Sequence, residues 1–323
     1  MDVFFHAVSQ MLVLFVLLAA GFIARRAKLM SEAFDTMLSQ LVMKIAMPAM
    51  ILNSVLSAGE LPDAATIGLL LGASAAAYVV ICAVAFLVGR LFRGLPASSQ
   101  GAHSFIIAFG NVGFVGFPVL NAVLGPSAVL YGAIYNIPFN FAVFTAGVRM
   151  VARKEKGGPD AAGARGSLRS RIAYAARTLF TPATLACLAV VVLALLRVTD
   201  NGGIVQTSCS YLGQLTVPAS MMVIGSSLAV QPLRSTLGHL SPYISSALRL
   251  LGIPLLVNLI FRFFVADPLV LGVLTISSGM PVAAIGVMFA LTYGGDRETM
   301  VRGTFITTAA SILTIPLLAL LVA

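Results

Sequence analysis

Two short stretches carry the residue types from which chemistry could be built in this chain: FGNVGFVGFPVL at 109–120 and SSGMPVAAIG at 277–286. Each sets helix breakers inside an apolar run. Gly110, Asn111, Gly113, Gly116 and Pro118 stand in the first, and Gly279, Met280 and Pro281 in the second. An interior glycine costs about 1 kcal/mol relative to alanine and a proline about 3, so the first stretch carries roughly 6 kcal/mol against continuous helix. Each unpaired backbone group in lipid adds several kcal/mol more, so such a segment must be covered by protein or line a wet cavity. Asn111 can cap a half-helix or offer its amide to a ligand. Pro281 suits the first turn of a half-helix, where its missing N–H would be unpaired anyway. Paired interrupted helices of this kind mark the substrate site of a transporter. Gly113 and Gly116 admit two readings, contact with substrate or close helix packing.

Charge narrows the ligand. All eleven carboxylates (Asp2, Glu32, Asp35, Glu60, Asp63, Glu155, Asp160, Asp200, Asp267, Asp296 and Glu298) fall in loops or at the ends of apolar runs. Carriers that move protons or bind cations through buried carboxylates need such groups at depth, so an aspartate-based antiport is disfavoured. The deep charges are basic: Lys44 and Arg249, at the limit of snorkelling, admit two readings, lining a cavity that takes an anion or reaching the interface, and Arg262 lies near a span end where it can snorkel outward. Dipole ends alone leave the sign of the ligand open, because half-helix N-termini and C-termini meet at the same depth. Missing carboxylates together with two deep cations point to an organic anion. Asn136 and Asn140 in YNIPFN are further candidates for the pathway. Thr304, Thr307, Thr308 and Ser311 either join them or bond their own helix backbone. His6, His103 and His239 lack the mutual spacing of a metal site or a triad, and Cys82, Cys187 and Cys209 form neither a CxxC pair nor a disulfide framework. No cofactor or metal is expected. Catalysis is disfavoured for want of a deep nucleophile–base pair.

The elements that must position these residues are membrane helices. The chain of 323 residues is 59% hydrophobic and 10% charged, where soluble domains carry roughly 25% charged residues. Its mean hydropathy is +1.01. Apolar runs near the roughly 20 residues needed to span hydrocarbon occur at 3–24, 37–57, 66–90, 102–124 and 127–149, then at 179–198, 208–230, 242–265, 268–292 and 302–322. The first is followed by Arg25 and Arg26 and reads as a retained helix, not a cleaved signal. Ten helices follow, in a first repeat at 1–151 and a second at 178–323, joined by a basic cytoplasmic loop at 152–177. Arg25, Arg26, Lys28, Arg90, Arg93, the cluster from Arg149 to Arg177, Arg234, Arg297 and Arg302 fall on one side, which places that side in the cytoplasm and both termini outside. The position of these residues matters more than the net charge of +9: the basic central loop fixes topology on the plainer reading and binds anionic membrane lipid or a regulator on the other, and no nucleic-acid partner is expected.

Five helices per half, an odd number, make the second half an inverted copy of the first. At an offset of 170 residues Pro48 aligns with Pro218, and Gly110 and Asn111 fall opposite Met280 and Pro281.

The residues resemble those of the auxin efflux carrier family, which includes plant PIN proteins and many bacterial permeases. The likeness is carried by GNVGFVGFPVL at 110–120, VPASMMVIGSSLAVQP at 217–232, MPVAAIGVMFALTY at 280–293, ILTIPLLAL at 312–320 and the proline of IAMPAM at 45–50. It reaches both halves and nearly the whole chain, the central loop excepted. The resemblance implies an all-α polytopic fold of ten transmembrane helices in two inverted five-helix repeats, with broken helices 4 and 9 crossing beside the substrate. It also implies a scaffold of helices 1, 2, 6 and 7, often dimeric, and a mobile domain from the other six. It places Asn111 and Pro281 in the binding region. Thr181 stands where plant members carry asparagine, and Gly110 replaces their crossover proline. The expectation is a secondary transporter of a small organic anion, a dicarboxylate or an indole-type carboxylate, in a bacterial inner membrane. Its site is read as Asn111, Gly110, Gly113, Gly279, Met280 and Pro281 with Lys44, Arg249, Asn136, Asn140 and Thr181. The rival is a sodium- or proton-coupled symporter of the bile-acid-transporter fold.

Overall fold

The computed structural model describes residues 2–152, 181–230 and 240–322. Residues 153–177 of the basic loop, Gln231, Pro232, Arg234 and His239 lie outside them. Twelve helices follow in chain order: α1 (Asp2–Arg26), α2 (Glu32–Leu56), α3 (Ala64–Leu91), α4 (Ala97–Ala108), α5 (Val112–Leu124), α6 (Ser127–Val151), α7 (Pro182–Leu195), α8 (Ile204–Val230), α9 (Ser241–Phe261), α10 (Pro268–Ser278), α11 (Ile285–Tyr293) and α12 (Arg297–Val322). Among the described residues, α2, α3, α6, α8, α9 and α12 are long and apolar enough to cross a bilayer, α5, α7 and α10 are shorter apolar helices, and no strand forms. Val16, Val79 and Leu313 are among many large apolar side chains left exposed, as lipid-facing helices require.

Local chemistry sets where the helices begin and where they deform. Ser31, Asp63, Thr181 and Asp267 each accept a hydrogen bond from a first-turn N–H of α2, α3, α7 and α10, satisfying donors the helix leaves orphaned. Pro48, Pro118 and Pro254 sit inside α2, α5 and α9. Proline cannot donate, and its ring crowds the carbonyl four residues back, here those of Lys44, Phe114 and Leu250. In each case the helix answers with a wider π-turn centred on that residue, at Val42–Ala46, Val112–Gly116 and Leu248–Gly252. A fourth, Val143–Gly147 in α6, has no proline two residues beyond it.

The helices pack as two sets. In the first, α1 lies on α8, α8 on α2 and α2 on α7. In the second, α3 packs with α4 and α6, and α9 with α10 and α12, the two groups being joined where α4 meets α12; the two sets in turn meet where α7 packs on α6. The closest backbone approach in the first set is between α1 and α8. A β-carbon on Gly21 would overlap the carbonyl oxygen of Met222, and one on Gly225 would overlap that of Leu18. Because Cβ tilts towards the helix N-terminus, each strikes the turn before the other glycine, the signature of two helices running the same way with Gly21 facing Gly225. At one end of this set Asp35 accepts from the Ser226 hydroxyl at 2.6 Å and pairs with Arg25 at 3.5 Å.

In the second set Asp296 clasps α4 to α12. Its carboxylate accepts from the Ser99 hydroxyl at 2.5 Å and from the Thr299 N–H and hydroxyl at 3.0 and 2.7 Å. Burial by itself would raise the pKa of Asp296, but these hydrogen bonds outweigh it and hold the group below the ordinary 3.8. A depressed folded-state pKa means stability that is present above the unfolded value and lost as pH falls through the folded one. Thermal unfolding of wild type and Asp296→Asn should therefore differ most at neutral pH, and the two should converge as pH drops below 3.8. A gap that widens on acidification would contradict the clasp.

Candidate functional site

Both breaks in the sequence become breaks in the backbone, and the broken ends meet. α4 stops at Ala108 and α5 starts at Val112. α10 stops at Ser278 and α11 starts at Ile285. The extended residues between them pair as a single antiparallel bridge, Gly110 with Val282. The Asn111 N–H donates to the Pro281 carbonyl at 2.6 Å and the Ala283 N–H to the Phe109 carbonyl at 3.0 Å. The Val282 N–H donates to the buried hydroxyl of Thr307 on α12 at 3.0 Å. A break that would be ruinous in lipid is thus repaired by its counterpart and one threonine.

Asn111 is half-buried at the start of α5, and its Oδ1 accepts from the Phe114 N–H at 3.1 Å. Using the oxygen as a cap leaves the amide NH2 as a donor without a partner among the described residues. Gly113 lies one residue into the same turn. Its N–H has no partner among the described residues, and a β-carbon there would meet nothing nearer than Met47 Sδ at 3.9 Å. Gly116 is buried with its nearest neighbour at 3.5 Å, ordinary van der Waals contact. Neither glycine is required by close helix packing in this conformation.

Arg249 lies on the π-turn of α9 and is fully buried. Its guanidinium donates from Nε to the Met280 carbonyl at 2.9 Å and from Nη1 to the carbonyls of Ala108 and Ile107 at 3.0 and 3.3 Å. Nη2 has no hydrogen-bond partner among the described residues and occupies the space that a side chain on Gly110 would need. Gly279 caps α10 and is pressed against Leu318 and Pro254. Gly110, Asn111, Met280, Pro281 and Arg249 thus form one connected cluster, with Gly113 and Gly279 beside it.

The other expected site residues bond elsewhere. Lys44 is exposed on the π-turn of α2, with Nζ 3.2 Å from Gln40 Oε1. Asn136 is buried against Cys187, and the Asn140 amide donates to the Asn136 carbonyl at 2.9 Å. The Thr181 hydroxyl caps α7 through the Thr184 N–H at 3.2 Å and lies 2.9 Å from the Thr184 hydroxyl. An apolar cleft of about 50 Å³ opens beside the crossover, where Pro281, Thr308 and Ser311 face Leu18 of α1 and Met221 and Ile224 of α8. Its apolar lining carried no signal in the sequence, because a lining leucine or methionine is the same residue type as a core one. Thr307 was legible only as one hydroxyl among several on α12.

Known proteins share this pattern along nearly the whole chain. The family model described as membrane transport protein matches residues 6–319. The chain is 22% identical to an "uncharacterized transporter" of Methanocaldococcus jannaschii over 95% of its own length and 96% of that protein's. It is 24% identical to an "uncharacterized transporter" of Methanothermobacter thermautotrophicus over 98% of each. A protein of Rhizobium meliloti named "putative malonate transporter" is 25% identical over 86% of this chain and 84% of its own.

Proposed function

Since this chain belongs to the membrane transport protein family, that of the auxin efflux carriers, we propose that it is a secondary carrier of a small organic anion that binds at the crossover of α4–α5 with α10–α11. The observation that carries this reading is the amide NH2 of Asn111 beside the N–H of Gly113, both without a partner among the described residues, at the start of a helix where the Cβ side of Gly113 is open as far as Met47. Donors at a helix N-terminus suit a carboxylate, and among the described residues no carboxylate of the protein pairs with them. The apolar cleft beside Pro281 accommodates the remainder of the ligand, and the Rhizobium relative's name makes malonate the first compound to try.

In this reading the chain crosses a bacterial inner membrane ten times as two inverted repeats, 1–151 and 178–323, with both termini outside. The same-way run of α1 and the second part of α8 supports that arrangement. The set of α1, α2, α7 and α8 stays fixed as a scaffold, through which the protein dimerises, and the other set carries the crossover past it in alternating access. The cleft lies on the boundary between the two, where such a movement opens and closes a path.

The test is malonate uptake into proteoliposomes. Uptake driven by membrane potential and indifferent to sodium and pH gradients is expected. Strict dependence on either gradient would replace this mechanism with coupled symport. Failure of malonate and other small mono- and dicarboxylates to enter under any gradient would remove the anion assignment.

A further inference from the structure

The proposed anion site has a difficulty that Arg249 resolves. Two half-helices end where two others begin, so the crossover holds two negative dipole ends as well as two positive ones, each worth about half an elementary charge. Left alone, they would give an approaching ion no preference. Arg249 donates to the last-turn carbonyls of Ile107 and Ala108 at the end of α4, and to the Met280 carbonyl just past the end of α10. The first two belong to the negative end of α4, and the third lies two residues past Ser278, so the guanidinium charge sits beside the negative end of α10 as well. One guanidinium charge matches two half-charges of opposite sign. Among the described residues no carboxylate pairs with Arg249, so its charge is free to serve the carbonyls.

We infer that Arg249 is a positioning residue that sets the sign of the ligand: it neutralises both C-terminal ends of the crossover and leaves the N-terminal ends, at Asn111–Gly113 and at Ala284–Ile285, to attract one negative charge. Gly110 is the space that admits it, since any side chain there would collide with Nη2. Arg249, α4, α10 and the crossover belong to one packed set, so the compensation travels with the site. The inference rests on the anion reading above and deepens it. Lysine lacks the planar fork but keeps the charge, and it is the charge that offsets the dipole ends.

The experiment uses the full-length protein in lipid nanodiscs with Arg249→Met, Arg249→Lys, Gly110→Ala and the double variant Gly110→Ala/Arg249→Met. Malonate affinity and thermal unfolding are both measured. Arg249→Met should weaken malonate binding about tenfold or more, and Arg249→Lys by about threefold at most. Gly110→Ala should lower Tm in the wild-type background. It should cost less in the double variant, where the guanidinium is gone and only the Met280 carbonyl oxygen, 2.8 Å from the new β-carbon, stands in the way, the non-additivity expected of two groups in contact. Wild-type affinity in Arg249→Met, or equal Tm losses in both backgrounds, would overturn the inference. If Arg249→Met does not fold, Arg249→Lys decides alone: loss within threefold supports the charge role and a tenfold loss overturns it. If wild type binds no carboxylate, the anion reading falls, and the Tm cycle still judges whether Arg249 and Gly110 share one space.

Discussion

Asn111→Asp is expected to keep the fold and lose the ligand. Aspartate caps a helix N-terminus as well as asparagine does, and its charge is favoured there, so the bond to the Phe114 N–H survives and Tm should hold or rise. The NH2 donors disappear and a negative charge takes their place. A lost hydrogen bond to a charged group costs about 1.5–3 kcal/mol, and like-charge repulsion adds to it, so carboxylate affinity should fall by about 100-fold or more. Asn111→Ala is the softer comparison, losing about 1 kcal/mol of cap along with the donors. Thermal shift with and without malonate, together with uptake, reads both effects. An aspartate variant that still binds malonate near wild-type strength would take Asn111 out of the site.

The second large effect is one of stability, and it falls on glycines outside the crossover. Gly21→Ala or Gly225→Ala drives a methyl into a carbonyl oxygen of the facing helix. Overpacking typically costs 1–3 kcal/mol, and a clash with backbone on both sides, which no rotamer change relieves, should cost about 3 kcal/mol or more. Small residues are what let membrane helices approach this closely. Gly113→Ala is the contrast, because its nearest neighbour would be Met47 Sδ at 3.9 Å. Its stability should stay within about 1 kcal/mol of wild type, while a methyl in front of the free N–H slows uptake. Thermal unfolding of the three variants in one lipid composition separates packing glycines from the site glycine. Equal losses in all three would erase that distinction.

Much of the frame was legible in the sequence. Apolar length located the helices, and the cost of glycine and proline in lipid located the breaks. The register between the halves put Asn111 opposite Pro281, and the Asn111 N–H donates to the Pro281 carbonyl. Gly110 fell opposite Met280 in that register and bridges Val282, because two extended segments pair by backbone direction and not by a sequence offset. The π-turns had a visible cause in Pro48, Pro118 and Pro254, although sequence alone does not say whether a helix kinks, breaks or widens at a proline.

Lys44 and Arg249 mark the boundary of what sequence determines. Both are cations at similar depth in apolar helices, both lie on π-turns, and by type and spacing they were equivalent candidates. The fold leaves Lys44 exposed beside Gln40 and buries Arg249 against the carbonyls of two other helices. By itself the sequence determined that the chain lives in a membrane, where its helices must break, and that no carboxylate waits at depth, because hydrocarbon penalises each of these locally. Only the tertiary structure decided which face each helix turns inward. That choice depends on how distant side chains fill the space between helices, and the neighbours concerned are far apart in the chain, 170 residues for Asn111 and Pro281 and 197 for Ser99 and Asp296.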